Sequence, residues 1–153
     1  MKLFLAVFGK PGSAFTADEV SKYVTRLKNS GTPLEIIEFR ESKREDKTKA
    51  LQEEADEFSK KFPEKDFFRI ILSEEGKLLN TIQLSQVLEK NNHRNIVFLI
   101  GSAYGIDNAL KKSSGLLLSL SPLTFTHDHA RVIASEQIYR CMMVLKKHPY
   151  HHV

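Results

Sequence analysis

Three short stretches concentrate residue types that can do chemistry. The first is His148-Pro149-Tyr150-His151-His152, four titratable rings just beyond an apolar segment. Imidazoles gain and lose protons near neutral pH, and a phenol can hydrogen-bond or stack on a planar ring. The second is Gly101-Ser102-Ala103-Tyr104-Gly105, whose glycines allow backbone to approach a ligand closely. It is neither G-x-G-x-x-G nor a phosphate-binding loop with Gly-Lys-Ser/Thr, so it reads as a ligand contact or as a plain tight turn. The third runs from Ser119 to Thr126, apolar and rich in hydroxyls. Its backbone groups and lack of charge suit an uncharged ring such as adenine better than a triphosphate.

Each stretch also has a plainer reading. His148, His151 and His152 could hold zinc or form a disordered basic end. Pro149 separates His148 from the other two, and no helical i, i+4 histidine pair is available, so no metal is expected. Arg140 is either a phosphate contact or the partner of Glu136 four residues earlier. Met142-Met143 is packing, as is the single cysteine, Cys141.

The elements that must position these groups follow from patterning. A chain of 153 residues fits one domain, taken as 1–153, with a core of useful size. Lys and Arg number 23 against 19 Asp and Glu, for a net charge of +4 and a pI near 9.1, which permits an anionic partner without requiring one. Five of the six histidines lie from His127 onward, beside Arg131, Arg140, Lys146 and Lys147, so positive charge gathers there. One cysteine allows no intrachain disulfide, which fits a reducing, cytoplasmic location. Leu3–Phe8 reads as a buried strand rather than a signal-peptide core. No apolar run approaches the ~20 residues of a membrane span.

Strands are expected at Lys2–Phe8, Leu34–Phe39, Phe67–Leu72, Asn95–Ile100 and near Gly115–Leu120. Helices are expected at Thr16–Lys28, over 44–61, at Thr81–Glu89, briefly after Gly105, and over Asp128–Lys146. Thr16 with Glu19 suggests a capping box. Leu51, Ala55 and Phe58 mark the inner face of the second helix, and Ser73-Glu74-Glu75-Gly76 the end of the third strand, whose exit from Leu72 to Gly76 is a candidate ligand site beside those at Gly101–Gly105 and Ser119–Thr126. This alternation predicts an α/β domain with a mainly parallel sheet, helices on both faces, and ligands at the carboxyl ends of the strands. Ile138–Leu145 is apolar almost all round, so it needs cover on several sides, which argues for an obligate dimer.

Phe98-Leu99-Ile100-Gly101, Tyr104-Gly105-Ile106, Leu118-Ser119-Leu120-Ser121, Leu123-Thr124-Phe125-Thr126-His127, Arg131-Val132, Glu136-Gln137-Ile138-Tyr139-Arg140 and His148-Pro149-Tyr150-His151 occur in this order. Together they closely resemble the ribosomal RNA large subunit methyltransferases H, of the SPOUT class. Met1-Lys2-Leu3, Glu35-Ile36-Ile37-Glu38 and the Leu72…Gly76-Lys77 segment extend the resemblance over essentially the whole chain. The resemblance implies a homodimeric α/β fold with a trefoil knot. It implies S-adenosylmethionine as cofactor and methylation of N3 of a pseudouridine in 23S rRNA on assembled ribosomes. By position, the cofactor residues would be Leu72, Gly101, Ser102, Gly105, Ser121, Pro122, Leu123, Thr124, Phe125 and Thr126.

N3 of pseudouridine is an imide nitrogen that becomes a nucleophile as its proton leaves. An enzyme must hold it in line with the sulfonium methyl and receive that proton, with no metal required. Tyr150 and His151 are the expected catalytic groups, His151 as proton acceptor and Tyr150 as stacking or hydrogen-bonding partner of the base. Arg131, Arg140, Lys146, Lys147 and His148 are expected to contact RNA. In the resembled family the tail of one subunit completes the other's site. One departure stands out: the family has Gly-Gly where this chain has Gly101-Ser102. If Ser102 had to adopt positive φ, its Cβ would cost about 1 kcal/mol. Lost cofactor affinity would leave the alternative of a non-catalytic ribosome-binding module.

Overall fold

The structure is a computed structural model and describes residues 1–151. Five strands form one all-parallel sheet: β1 (Leu3–Phe8), β2 (Leu34–Phe39), β3 (Phe67–Leu78), β4 (Asn95–Ile100) and β5 (Leu116–Ser119), in the order β2-β1-β4-β3-β5. The connections carry α1 (Ala14–Asn29), α2 (Lys47–Lys61), α3 (Thr81–Lys90) and α4 (Asn108–Lys112), and α5 (His127–Leu145) follows β5. The α/β class and the parallel sheet agree with the sequence reading.

Alternation within the strands divides two cores. Leu3, Leu5, Val7, Ile96, Phe98 and Ile100 face α1, α3 and α5. Ala6, Phe8, Ile71, Val97 and Leu99 face α2 and α4 through Phe58, Phe62, Ile106 and Leu110. Both faces of the sheet are covered, so the central strands are apolar at successive positions. On the α2 side Phe4, Phe39, Phe58, Phe62 and Phe67 meet with ring centroids 5.0–6.5 Å apart.

Four expectations need correction. First, α1 begins at Ala14 and is capped by Ser13, whose side chain accepts the Thr16 N–H, so Thr16 lies inside the helix. Second, α2 buries Ala50, Glu54 and Phe58, one position round from the face expected, and so carries a carboxylate inward. Third, β3 does not end at Leu72. Residues 73–76 bulge out and pairing resumes, with Leu72 and Lys77 both opposite Leu118. A side chain at position 76 would lie 2.5 Å from the Leu118 backbone, so glycine alone lets the strand return to β5.

Fourth, the apolar stretch of α5 finds its cover within its own chain. Ile138, Cys141, Met142 and Met143 are buried in the core shared with α1, α3 and the sheet. The apolar helix therefore does not by itself require a second subunit. Burial raises the Cys141 thiol to about 12, because a thiolate there would lose its hydration. Cys141 should thus resist an aromatic disulfide reagent at pH 8 in the native protein and react within minutes in denaturant. Stoichiometric reaction without denaturant would contradict this packing.

α5 ends in two backbone bonds, Lys147 N–H to the Val144 carbonyl and His148 N–H to the Met143 carbonyl, with Lys147 at φ 55°. This left-handed cap usually takes glycine. Lys147→Gly should raise stability by about 1 kcal/mol, or roughly 2–4 °C in Tm for a chain of this size. An unchanged or lower Tm would count against the cap.

Candidate functional site

The β3 bulge and the carboxyl ends of β4 and β5 open on a cavity of about 480 Å³. This lies within the range of small-molecule sites. One wall is the β3 bulge, Leu72 to Glu75. A second is the β4 exit with Gly101, Ser102, Ala103 and Gly105. The third is the β5 exit with Ser119, Leu120, Ser121, Leu123, Thr124 and Phe125, closed by His127 and Ala130 of α5. Eight of the ten expected residues therefore line one cavity. The other two, Pro122 and Thr126, do not. Thr126 is engaged as the N-cap of α5, its side chain accepting the His129 N–H at 3.2 Å.

Local bonds hold this arrangement. Ser121 Oγ accepts the Leu123 N–H at 3.0 Å, and Ser119 Oγ donates to the Ser121 carbonyl at 2.9 Å, so the third wall is shaped by its own hydroxyls. The Asp128 carboxylate accepts the Gly12 N–H at 3.0 Å and the Thr16 hydroxyl at 3.0 Å. These bonds, the Gly12 amide foremost, hold its carboxyl below the usual range and tie the start of α5 to the loop after β1.

The β4 exit is a closed turn in which the Gly105 N–H donates to the Ser102 carbonyl at 2.9 Å. Gly105 has φ +93°, a region other residues rarely enter. Ser102 does not have positive φ, so the strain considered for it does not arise. Its hydroxyl points away from α5 and donates to Glu54 Oε1 at 2.7 Å. Burial pushes the Glu54 carboxyl above its ordinary value; the Ser102 bond opposes this, and Glu41 adds to it. On the α5 side, His127 Nε2 lies 3.0 Å from the Gly101 carbonyl. Glu74 and Glu75, part of the third-strand exit expected as a candidate, line the cavity, as do His127 and Lys111, which were not foreseen as cofactor contacts. The acidic pair was read as a turn because the resumed β3 pairing depends on β5, far away in sequence.

The C-terminal groups lie elsewhere. The Tyr150 ring meets Tyr139 edge-on at 4.7 Å, with the guanidinium groups of Arg140 and Arg26 at 5.0 and 5.7 Å from its centroid. The Tyr150 N–H donates to His148 Nδ1 at 3.2 Å. His151 Nδ1 is buried without a hydrogen-bond partner among the described residues. His152, the third candidate of the tail, lies outside the described residues. No cluster suited to a metal ion occurs among the described residues, and none of the described helices is long and apolar enough to cross a membrane.

Of the expected RNA contacts, Lys146, Lys147 and His148 are exposed, although Lys146 Nζ also reaches the Ser30 carbonyl at the end of α1. Arg140 is ion-paired with Glu136 at 2.8 Å and keeps about 29% of its side chain exposed. Arg131 must be corrected. It is 1% exposed, and its Nη2 donates to the Gly9 carbonyl at 2.9 Å while Nη1 lies 4.0 Å from Glu38. Its guanidinium binds α5 to the ends of β1 and β2, so it is not available to a phosphate.

Tail and cavity stand at opposite ends of α5. Nineteen residues separate them along the helix, about 28 Å at 1.5 Å per residue. One chain alone does not bring Tyr150 and His151 to its own cavity.

Comparison with known proteins agrees with this geometry. The family described as predicted SPOUT methyltransferase matches residues 1–151. Proteins named ribosomal RNA large subunit methyltransferase H are similar over nearly their whole length. That of Streptococcus suis is 34% identical, with 99% of each chain covered. That of Parabacteroides distasonis is 33% identical, again with 99% of each covered. One from Prochlorococcus marinus is 50% identical over 54% of this chain and 59% of its own. With a five-stranded parallel sheet and a strand-end cavity in place, the chain belongs to the SPOUT methyltransferases, in the ribosomal RNA large subunit methyltransferase H group.

Proposed function

We propose that this protein methylates N3 of a pseudouridine in large-subunit ribosomal RNA, with S-adenosylmethionine as methyl donor and a second copy of the chain completing each site. The observation that carries the reading is the cavity, which gathers most of the residues expected at a cofactor site from the β3 bulge and the ends of two further strands. The residues present suit that cofactor. Leu72, Ile100, Ile106, Leu123 and Phe125 offer apolar walls for an adenine ring, the β5 exit offers backbone groups, and Glu74 offers negative charge to a cationic ligand, Glu75 being paired with Lys111 at 3.4 Å. The trefoil knot implied by the resemblance belongs to the same proposal.

The cofactor supplies an electrophilic methyl group. The protein's residues hold the base and remove its proton. His151, whose Nδ1 is buried and without a hydrogen-bond partner among the described residues, is the proposed acceptor of the N3 proton once the tail lies over the partner's cavity. Tyr150 is proposed to stack on the base or bond its edge. Lys146, Lys147 and His148, all exposed beside it, would engage phosphates, with Arg140. Because tail and cavity are separated by the length of α5, the reading places the partner's tail over each cavity, as in a symmetric dimer.

Titration calorimetry tests the cofactor assignment. S-adenosylmethionine should bind with one site per chain, and no heat of binding at millimolar ligand would refute it. Sedimentation at micromolar concentration should give the mass of two chains, and a monomer would remove the shared site.

A further inference from the structure

Glu54 is placed at a cost to stability. It is 5% exposed on the inner face of α2, and its Oε2 has no hydrogen-bond partner among the described residues. A buried carboxylate so incompletely paired is destabilising. It lies outside the lining of the large cavity, and its short bond goes to Ser102, which is in that lining. The carbonyl of the same Ser102 closes the turn onto the Gly105 N–H, while His127 meets the Gly101 carbonyl from the opposite side. The turn is thus held at two points, by α5 from one side of the sheet and by α2 from the other.

We propose that Glu54 is a positioning residue for the cofactor: through Ser102 it holds the backbone of the Gly101–Gly105 turn in the conformation that binds S-adenosylmethionine. This rests on the reading of the cavity as the cofactor site. A turn ordered before binding loses less conformational freedom when the ligand arrives, so affinity rises without a direct contact from Glu54. Ser102, the departure from the family's Gly-Gly, supplies the hydroxyl that such a connection needs.

The test combines Glu54→Ala, Ser102→Ala, the double variant and Glu54→Gln. Glu54→Ala should raise the Kd for S-adenosylmethionine at least fivefold, with kcat at saturating cofactor changed less than twofold, and Ser102→Ala should raise the Kd by a similar factor. The double variant should be no worse than the weaker-binding single, because both remove one connection. Glu54→Gln keeps an acceptor for the Ser102 hydroxyl and should recover most of the loss. In the ligand-free protein the Gly105 amide should exchange hydrogen faster in both alanine variants, with the β4 amides unchanged. If Glu54→Ala does not fold, Ser102→Ala carries the affinity and exchange predictions, with the core acceptor left in place. Unchanged affinity and exchange in folded Glu54→Ala or Ser102→Ala, or additive losses in the double variant, would overturn the proposal alone. A wild type that binds no S-adenosylmethionine would overturn the cofactor reading and this proposal with it.

Discussion

Removing Tyr150–Val153 should lower methyl transfer to large-subunit RNA at least tenfold while S-adenosylmethionine binding stays within about twofold. Tenfold corresponds to about 1.4 kcal/mol of transition-state stabilisation. The expectation follows from the separation along α5: Tyr150 and His151 are far from the cavity of their own chain, and none of its lining residues is deleted. The deletion is not free structurally. Tyr150 packs edge-on against Tyr139 and lies near Arg26 and Arg140, a contact worth about 0.5–1.5 kcal/mol. Tm should fall by a few degrees, well short of unfolding. Single substitutions divide the loss. Tyr150→Phe should keep much of the activity if the ring only stacks, and His151→Ala should flatten the pH dependence near neutrality if His151 accepts the proton. Full activity after truncation would move the search for the proton acceptor to His127 and His129.

Gly105→Val should abolish detectable cofactor binding while the protein remains folded. No atom lies within 4 Å of the position a side chain there would take, so the core is not disturbed. The penalty is conformational. At φ +93° a β-branched residue is strongly disfavoured, by at least about 1–2 kcal/mol, and the turn would leave the shape that presents its backbone to the cavity. Calorimetry and circular dichroism on the same sample read both outcomes. Gly105→Val also complements the truncated chain. Gly105→Val is inactive alone and the truncated chain keeps at most about a tenth of the activity, but a mixed dimer pairs the intact cavity of the truncated subunit with the intact tail of the other. Reassembled from equal parts, the mixture should regain about a quarter of wild-type activity, since half the dimers are mixed and each has one whole site. No recovery on mixing would argue against a shared site.

Much of this arrangement was legible in the chain. The β1 and β4 strands are apolar at successive positions because both sheet faces are covered, and that pattern shows without knowledge of neighbours. Glycine and hydroxyl side chains at the β4 and β5 exits marked these as candidate contacts or plain turns, and the family resemblance singled out their residues as cofactor contacts.

What escaped notice depended on distant partners. Glu54 carries no local mark of burial on a helix rich in charge; its hydroxyl partner, Ser102, comes 48 residues later. Arg131 looked like a phosphate contact, because nothing local announces the Gly9 carbonyl that receives it, 122 residues earlier. The return of β3 after its bulge depends on β5, and Ser73-Glu74-Glu75-Gly76 has every local mark of a turn. The apolar face of α5 pointed to a second subunit, whereas α1 and α3 cover it from the same chain. The case for a dimer now rests on the distance between tail and cavity.

The central claim is methyl transfer to one defined atom. Its most direct test incubates the protein with S-adenosylmethionine carrying a labelled methyl group and ribosomes from cells that lack the modification, then maps the label by mass spectrometry. About one methyl per large subunit is expected, on N3 of a pseudouridine, lost in Gly105→Val and strongly reduced by the tail truncation. Absence of label at saturating cofactor, or label on another atom, would contradict it.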